Sequence, residues 1–382
     1  MATLFIIGNG FDLHHGLRTS YANYKEFLEN GNWDAVEEFM EITSSANNEQ
    51  ESWTNIESAL KINYTDILHN CINKINDQRL IEDYLDSGMN DLYNAAEYFL
   101  RKENWFITDF TGRMLYEWLD SVNTESAVPD QKMAKQFTED DRFLCFNYTN
   151  TLETVYQIPK QNILYIHGNL QKLSKIEERV EYLMNDSEDN NLEDQNAIES
   201  IEDDLQDLID IFAPEGDDEG LILLHEERLE TNYYYEEFAQ TYSFLVRREL
   251  QFGADIDIET ALQDVAEVVD GQDELHEDAV KEIEYFIDHS IKETNRNIGI
   301  LKRFVQQKPF TNVVIMGHTL SANDYPYYRD VIVPTLNSCE WKFFIHSNKS
   351  YKDLLLFLRM VAQDCFGDEE INTQGRCEHE WW

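Results

Sequence analysis

Apolar residues follow two rhythms along this chain. Short unbroken runs of strand length stop abruptly at polar or glycine residues, and longer stretches place apolar side chains three and four positions apart. The first run is Leu4-Phe5-Ile6-Ile7, ending in Gly8-Asn9-Gly10-Phe11-Asp12. The second, Arg142-Phe143-Leu144-Cys145-Phe146, is followed at once by Asn147-Tyr148-Thr149-Asn150-Thr151. Ile163-Leu164-Tyr165-Ile166 precedes His167-Gly168-Asn169, and Asn312-Val313-Val314-Ile315-Met316 precedes Gly317-His318-Thr319-Leu320-Ser321-Ala322-Asn323-Asp324. A fifth run, Trp341-Lys342-Phe343-Phe344-Ile345, leads into His346-Ser347. A strand that is apolar without alternation has both faces covered, and sheets of such strands are parallel with helices on either side. The pattern predicts an α/β fold with one five-stranded parallel sheet. The carboxyl ends of its strands form a single polar edge, where ligands of such sheets bind.

The helical rhythm fills the remainder. Thr19 or Ser20 starts a helix as its N-cap, with Tyr24, Phe27 and Leu28 at helical spacing, and residues 33–42 continue in the same style. Residues 44–51 are polar and read as a loop. A second helical stretch begins near Ser52-Trp53-Thr54-Asn55-Ile56-Glu57, with Ile56, Leu60 and Tyr64 on one face, and 79–105 and 108–121 are amphipathic and rich in aromatic residues. Between His167 and Val313 lies an insertion of different character: acidic with helical periodicity over 175–212, an acidic turn over 214–220, and helical again over 221–252, with Tyr233, Tyr234, Tyr235 and Phe238, and over 255–307. The expected organisation is therefore 1–172 as the first part of an α/β nucleotide-binding domain, with inserted helices at about 20–138. An acidic α-helical insertion over 173–307 and a return to the α/β domain with a C-terminal helix and tail over 308–382 complete it. The tail ends in Trp381-Trp382 and reads as a packed terminus or a docking element.

Charge narrows the partners. Of 382 residues, 75 are acidic and 30 basic, a formal net charge of -45, and that field repels DNA, RNA and anionic lipid over most of the surface. An anionic nucleotide needs a local exception, such as a helix N-terminus, backbone N–H groups or a placed cation, for which Arg18 is the candidate. Five scattered cysteines form neither a disulfide framework nor a four-cysteine zinc module. The acidic runs of the insertion lack a D-x-D-x-D-G calcium loop and read as solvated helix faces. No secretory signal is evident and no apolar run is long enough to span a bilayer, so the expected location is the cytoplasm.

The chemistry gathers at the strand ends. The candidates are Gly8, Asn9, Gly10 and Asp12 from the first, Asn147, Tyr148 and Thr149 from the second, His167 and Gly168 from the third, and Gly317, His318, Ser321 and Asp324 from the fourth. Each alone reads as an ordinary cap or turn, but their location on one edge of one sheet does not. The opening glycines do not complete the dehydrogenase fingerprint, because Leu13 stands where a third glycine is expected.

The segments L-F-I-I-G-N-G-F-D-L-x-H-G-L-x-T-S-Y, W-x-x-I-E, F-N-Y-T-x-T-L-E, I-H-G and G-H-T-L-S-x-x-D-x-x-Y-Y, in that order from Leu4 onward, resemble the bacterial abortive-infection AbiH family. That pattern in turn looks like a distant relative of the sirtuin-type NAD-binding domain. The resemblance implies a Rossmann-like parallel sheet with a sirtuin-like nucleotide cleft, and an anti-phage protein that hydrolyses the nicotinamide–ribose bond of NAD. It implies Asn147 and His167 as catalytic residues. Gly8, Asn9, Gly10, Phe11, Asp12, Arg18, Tyr148, Thr149, Gly317, His318, Ser321 and Asp324 are then the nucleotide-binding set, with the N–H groups of residues 9–11 facing the pyrophosphate. Thr149 stands where the wider group places an aspartate. NAD is the expected substrate or ligand, with no metal, and the expected partners are further copies of the chain or another protein of a defence system. Neither nucleic acid nor membrane is expected as a partner. The alternatives are a nucleotide-binding sensor without turnover and a metal-dependent nuclease-type toxin. A deacetylase is disfavoured because the cysteines cannot build its structural zinc module.

Overall fold

The computed structural model describes residues 2–43, 53, 56–60, 106, 109–170, 294–318, 320, 322–344 and 348–367. The expected helices at 79–105, nearly all of the acidic insertion, and the tryptophan-ended tail lie outside the described residues. Five strands, β1 (Ala2–Ile7), β2 (Arg142–Cys145), β3 (Ile163–Tyr165), β4 (Phe310–Met316) and β5 (Glu340–Phe344), form one parallel sheet in the order β3-β2-β1-β4-β5. The described helices are α1 (Asn9–His14), α2 (Tyr21–Gly31), α3 (Trp33–Thr43), α4 (Ile56–Ala59), α5 (Arg113–Asp120), α6 (Gln131–Ala134), α7 (Thr151–Thr154), α8 (Thr294–Gln306), α9 (Tyr325–Tyr327), α10 (Val333–Leu336) and α11 (Asn348–Phe366). The five parallel strands and the α/β class expected from the apolar runs are present.

Successive strand residues point to opposite faces, and both faces are buried. Leu4, Ile6, Leu144, Val313, Ile315, Trp341 and Phe343 pack on one side with Leu301, Phe304 and Val305 of α8, and with Leu354, Leu358 and Val361 of α11. Phe5, Ile7, Phe143, Cys145, Val314, Met316 and Phe344 pack on the other with Phe11 of α1, Met133 of α6 and Leu152 of α7. A separate aromatic core joins the helices that follow β1. Phe39 stacks on Phe110 at 4.8 Å, and the Tyr24 hydroxyl donates to the Phe110 carbonyl at 2.6 Å. Ser20 caps α2 with a reciprocal Asn23 bond, as the sequence indicates. Ile56 of α4 is fully buried.

Register brings the strand tips level. Ile7 lies opposite both Cys145 and Met316, Cys145 opposite Tyr165, and Met316 opposite Phe344. One further backbone bond continues each pairing: Phe146 N–H to Ile7, Ile166 N–H to Cys145, Gly8 N–H to Met316 and Gly317 N–H to Phe344. The strand order reverses between β1 and β4, the position at which doubly wound sheets open a crevice beyond their carboxyl ends.

At that position the two loops touch backbone to backbone. A Cβ on Gly8 would lie 2.4 Å from His318 Cα, one on Gly10 2.7 Å from Gly317 Cα, and one on Gly317 2.3 Å from the Phe11 nitrogen. Gly10 N–H donates to Gly317 O at 2.8 Å. Gly317 also has φ +63, a left-handed conformation that costs a side-chain-bearing residue about 1–2 kcal/mol before any overlap. Gly16 has φ +76 with nothing within 4 Å of its would-be Cβ. Gly317→Ala is therefore expected to destabilise the fold by more than about 3 kcal/mol, and Gly16→Ala by only about 1–2 kcal/mol. Chemical denaturation of both variants measures this, and equal losses would refute the close-approach explanation.

Candidate functional site

The site grows from the three strand tips nearest the reversal. The short helix α1 starts directly after β1 with Gly8 as its N-cap and brings Asp12 back beneath the sheet edge. Asp12 is 1% exposed, and its Oδ2 accepts the Thr149 hydroxyl at 2.5 Å, while Thr151 donates to Thr149 at 3.1 Å. Asp12 Oδ1 is buried without a hydrogen-bond partner. Burial pushes the Asp12 carboxyl up from 3.8 to about 6, against the lowering effect of the Thr149 hydrogen bond and of the nearby Thr151 and Asn147 side chains. Asn147, just past β2, is also buried, and its Nδ2 donates to the Gly8 carbonyl at 3.1 Å. Only the NH2 end of the amide can donate to a carbonyl, so this bond sets the amide orientation and leaves Oδ1 buried and unpartnered.

Beyond β3 and β4 sits a carboxylate between two imidazoles. His167 Nε2 lies 3.8 Å from Asp324 Oδ1, and His318 Nε2 lies 3.9 Å from Asp324 Oδ2. All three residues are buried. Rings hold the imidazoles in place: Phe146 lies over His318 with centroids 4.1 Å apart and meets His167 edge-on at 5.4 Å. Tyr327 lies 6.0 Å from His167, and Tyr328 6.1 Å from His318. A carboxylate so placed stabilises whichever ring takes a proton, through charge at a separation longer than a hydrogen bond.

A third wall comes from outside the sheet. Glu57 of α4 is buried, accepting from the Tyr21 hydroxyl at 3.4 Å through Oε1 and from Asn323 Nδ2 at 3.2 Å through Oε2. Asn323 is 0% exposed, and its Oδ1 has no hydrogen-bond partner. Burial, then the charges of Glu57 and Asp324, hold the Tyr21 hydroxyl well above its ordinary range. Burial also raises Tyr148, with Glu57, Tyr21, Asp324 and Tyr327 adding to the effect. These influences join the two halves of the cluster.

The structure thus brings together Asp12, Asn147, Thr149, Tyr148, His167, His318 and Asp324, with Gly8, Gly10, Phe11 and Gly317 forming the backbone contact beneath them. Three expectations need correction. The N–H groups of Gly10 and Phe11 do not face a pyrophosphate, because Gly317 O and Gly8 O accept them. The space beside Gly8 and Gly10 is filled by the Gly317–His318 backbone rather than left open to a phosphate. Arg18 is no cation of this site. Asn9 and Thr19 bond each other, Nδ2 to the Thr19 carbonyl at 2.7 Å and the hydroxyl to Oδ1 at 2.6 Å, which buries Thr19 and leaves Arg18 outside. Arg18 pairs with Glu26 at a surface pocket of about 570 Å³ that Trp118 and Asn30 also line. Ser321 lies outside the described residues. Glu57, Tyr21 and Asn323 were not among the sequence candidates. A signal for Glu57 existed, since Trp53, Ile56, Glu57 and Leu60 share one helix face, so that its carboxylate falls on the buried side.

The fold and this edge define the class: a doubly wound α/β protein with a buried amide, histidine and carboxylate cluster at its topological reversal. The family described as Bacteriophage abortive infection AbiH matches residues 4–345, and the chain belongs to it. Membership connects the chain to phage abortive infection. The chain matches no curated protein and no solved structure. Among the described residues, no group of three His, Cys, Asp or Glu side chains is placed to hold a metal ion, and no helix is long and apolar enough to cross a membrane.

Asp12 makes stability depend on pH with a definite sign. Its folded pKa of about 6 lies above the ordinary 3.8, so the folded chain binds that proton more tightly than the unfolded one. The contribution is intact below about pH 4 and is lost as pH rises through 6, with a ceiling of about 3 kcal/mol. Asp12→Asn, which keeps an acceptor for Thr149, is expected to be more stable than wild type above pH 6, with the gap closing below pH 4. Melting temperatures of both proteins between pH 4 and 8 measure it, and a gap independent of pH would exclude a buried, proton-holding Asp12.

Proposed function

We propose that the strand-end cluster is the active site of an NAD glycohydrolase, which cleaves the nicotinamide–ribose bond and depletes NAD during phage infection. The observation that carries this reading is Asn147, whose amide is fixed by the Gly8 carbonyl with its own oxygen buried and unpartnered, one strand away from the buried His167. An unpaired buried acceptor is costly, and a ribose hydroxyl or a substrate water relieves that cost.

The chemistry asks little of a general acid. Nicotinamide leaves the cationic pyridinium nucleotide as a neutral molecule and takes the electron pair of the broken C–N bond. The site must stabilise an oxocarbenium-like ribose and direct water to it. Asn147 holds the hydroxyl or the water. His167 accepts the proton that water loses on attacking the anomeric carbon, and Asp324 stabilises the imidazolium so formed. Buried carboxylates of Asp12 and Asp324 favour positive charge in the cleft. The products are nicotinamide, ADP-ribose and a proton.

A binding site without turnover is the second reading. The Thr149 hydroxyl, at the position where the wider group carries an aspartate, is committed to Asp12, which favours it.

Nicotinamide release from NAD, followed with and without EDTA, separates the readings. Hydrolysis predicts release that survives chelation and falls by about 10² or more in both Asn147→Ala and His167→Ala. Tight NAD binding without release, even during phage infection, would replace the hydrolase with the sensor. Cutting of nucleic acid that EDTA abolishes would replace both with a metal-dependent nuclease.

A further inference from the structure

Two asparagines of the cluster are held in the same manner. Asn147 donates from Nδ2 to the Gly8 carbonyl at 3.1 Å, and Asn323 donates from Nδ2 to Glu57 Oε2 at 3.2 Å. Only the NH2 end of an amide can donate to a carbonyl or carboxylate oxygen, so each bond fixes the amide and sets its Oδ1 as a buried acceptor with no hydrogen-bond partner. Asn323 is 0% exposed, and the next residue, Asp324, supplies the carboxylate between the two imidazoles. What orients the amide differs in the two cases. Asn147 is held by backbone of the sheet edge, whereas Asn323 is held by one side chain of α4, a helix that belongs to the connection between β1 and β2. The same carboxylate is anchored on its other oxygen by the Tyr21 hydroxyl at 3.4 Å.

We propose that Glu57 is a positioning residue of the strand-end site. It holds Asn323 so that Oδ1 accepts a hydrogen bond from a hydroxyl or amide N–H of the bound nucleotide. Asn323 is then a specificity contact, and Asn147 and Asn323 together present two acceptors to a ligand group rich in donors. Such a pair, with the Asp12 and Asp324 carboxylates nearby, selects a neutral or cationic group and rejects a phosphate, whose oxygens bring only acceptors and negative charge. This inference deepens the NAD reading above and rests on it. Glu57 itself takes no part in bond making, because it acts through the amide it orients.

The test is a double-mutant cycle on the full-length chain with NAD as the probe and calorimetry as the readout. Glu57→Ala and Asn323→Ala are each expected to weaken NAD binding by about tenfold, the loss of roughly one hydrogen bond. The double variant is expected to bind no more weakly than Asn323→Ala alone, because Glu57 acts only through that amide. Glu57→Gln, whose Oε1 still accepts from Asn323, is expected to bind within about twofold of wild type. Should Glu57→Ala fail to fold by thermal melting, Glu57→Leu fills the space without accepting a hydrogen bond and takes its place in the cycle. Losses that multiply to about a hundredfold in the double variant overturn the proposal, as does a Glu57→Ala or Asn323→Ala protein that binds NAD as wild type does. Wild type that binds no NAD overturns the nucleotide reading, and this inference with it.

Discussion

The backbone contact between the loops after β1 and β4 is the constraint on which the site depends. Gly8 and Gly10 on one side and Gly317 on the other leave no room for a Cβ, and the hydrogen bond from Gly10 to Gly317 closes the gap. A sheet whose strand order reverses ordinarily separates these loops into a crevice. Here the glycines bring them together at their base, so that the cluster stands on a rigid seam. The Gly8 carbonyl then orients Asn147, and α1 follows at once and delivers Asp12. His318 stands directly on Gly317 and is fixed by the same seam. A side chain at any of the three glycines would displace several functional groups together.

Above this seam the protein buries a concentration of charge that is unusual for a core. Asp12, Glu57 and Asp324 are each less than a tenth exposed, as are His167 and His318. Buried carboxylates are tolerated when hydrogen bonds or protons compensate them. Each uses a different means. Asp12 is pushed toward its protonated form and accepts a threonine hydroxyl, Glu57 accepts from a tyrosine and an asparagine, and Asp324 lies between two imidazoles. The arrangement is polar without being basic, so it differs in kind from a phosphate cradle. It is consistent with the net charge of -45, since the described cluster is built from amides, hydroxyls, imidazoles and acids.

The helices between β1 and β2 share in the site as well as covering the sheet. Their aromatic core, with Phe39 on Phe110 and Tyr24 bonded to the Phe110 carbonyl, takes in Trp53, three residues before α4, and α4 presents Glu57. The strand-end cluster is thereby connected to a segment that inserts between the first two strands. Membership of the AbiH family covers this segment as well as the sheet, because the match runs from residue 4 to 345.

Much of this was legible in the sequence. Unbroken apolar runs ending in polar residues identified all five strands and their common direction, since only a doubly covered parallel sheet makes such runs favourable. The same runs placed Asn147, His167, His318 and Asp324 at one edge, and Ser20 was readable as a cap. Other features depend on contacts between residues far apart in the chain. Gly8 and Gly10 resemble a nucleotide-binding turn locally, and only the position of Gly317, some 300 residues later, shows that their missing side chains make room for backbone. Arg18 is a plausible anion ligand by proximity to the turn, but the bond between Asn9 and Thr19 turns it outward. Glu57 and Asn323 are 266 positions apart, and the hydrogen bond between them exists only in the folded chain. The periodicity of the chain determined which elements exist and which ends they share, because that information is local. Which side chains meet at those ends was decided by tertiary packing, because hydrogen bonds and steric fit are properties of pairs.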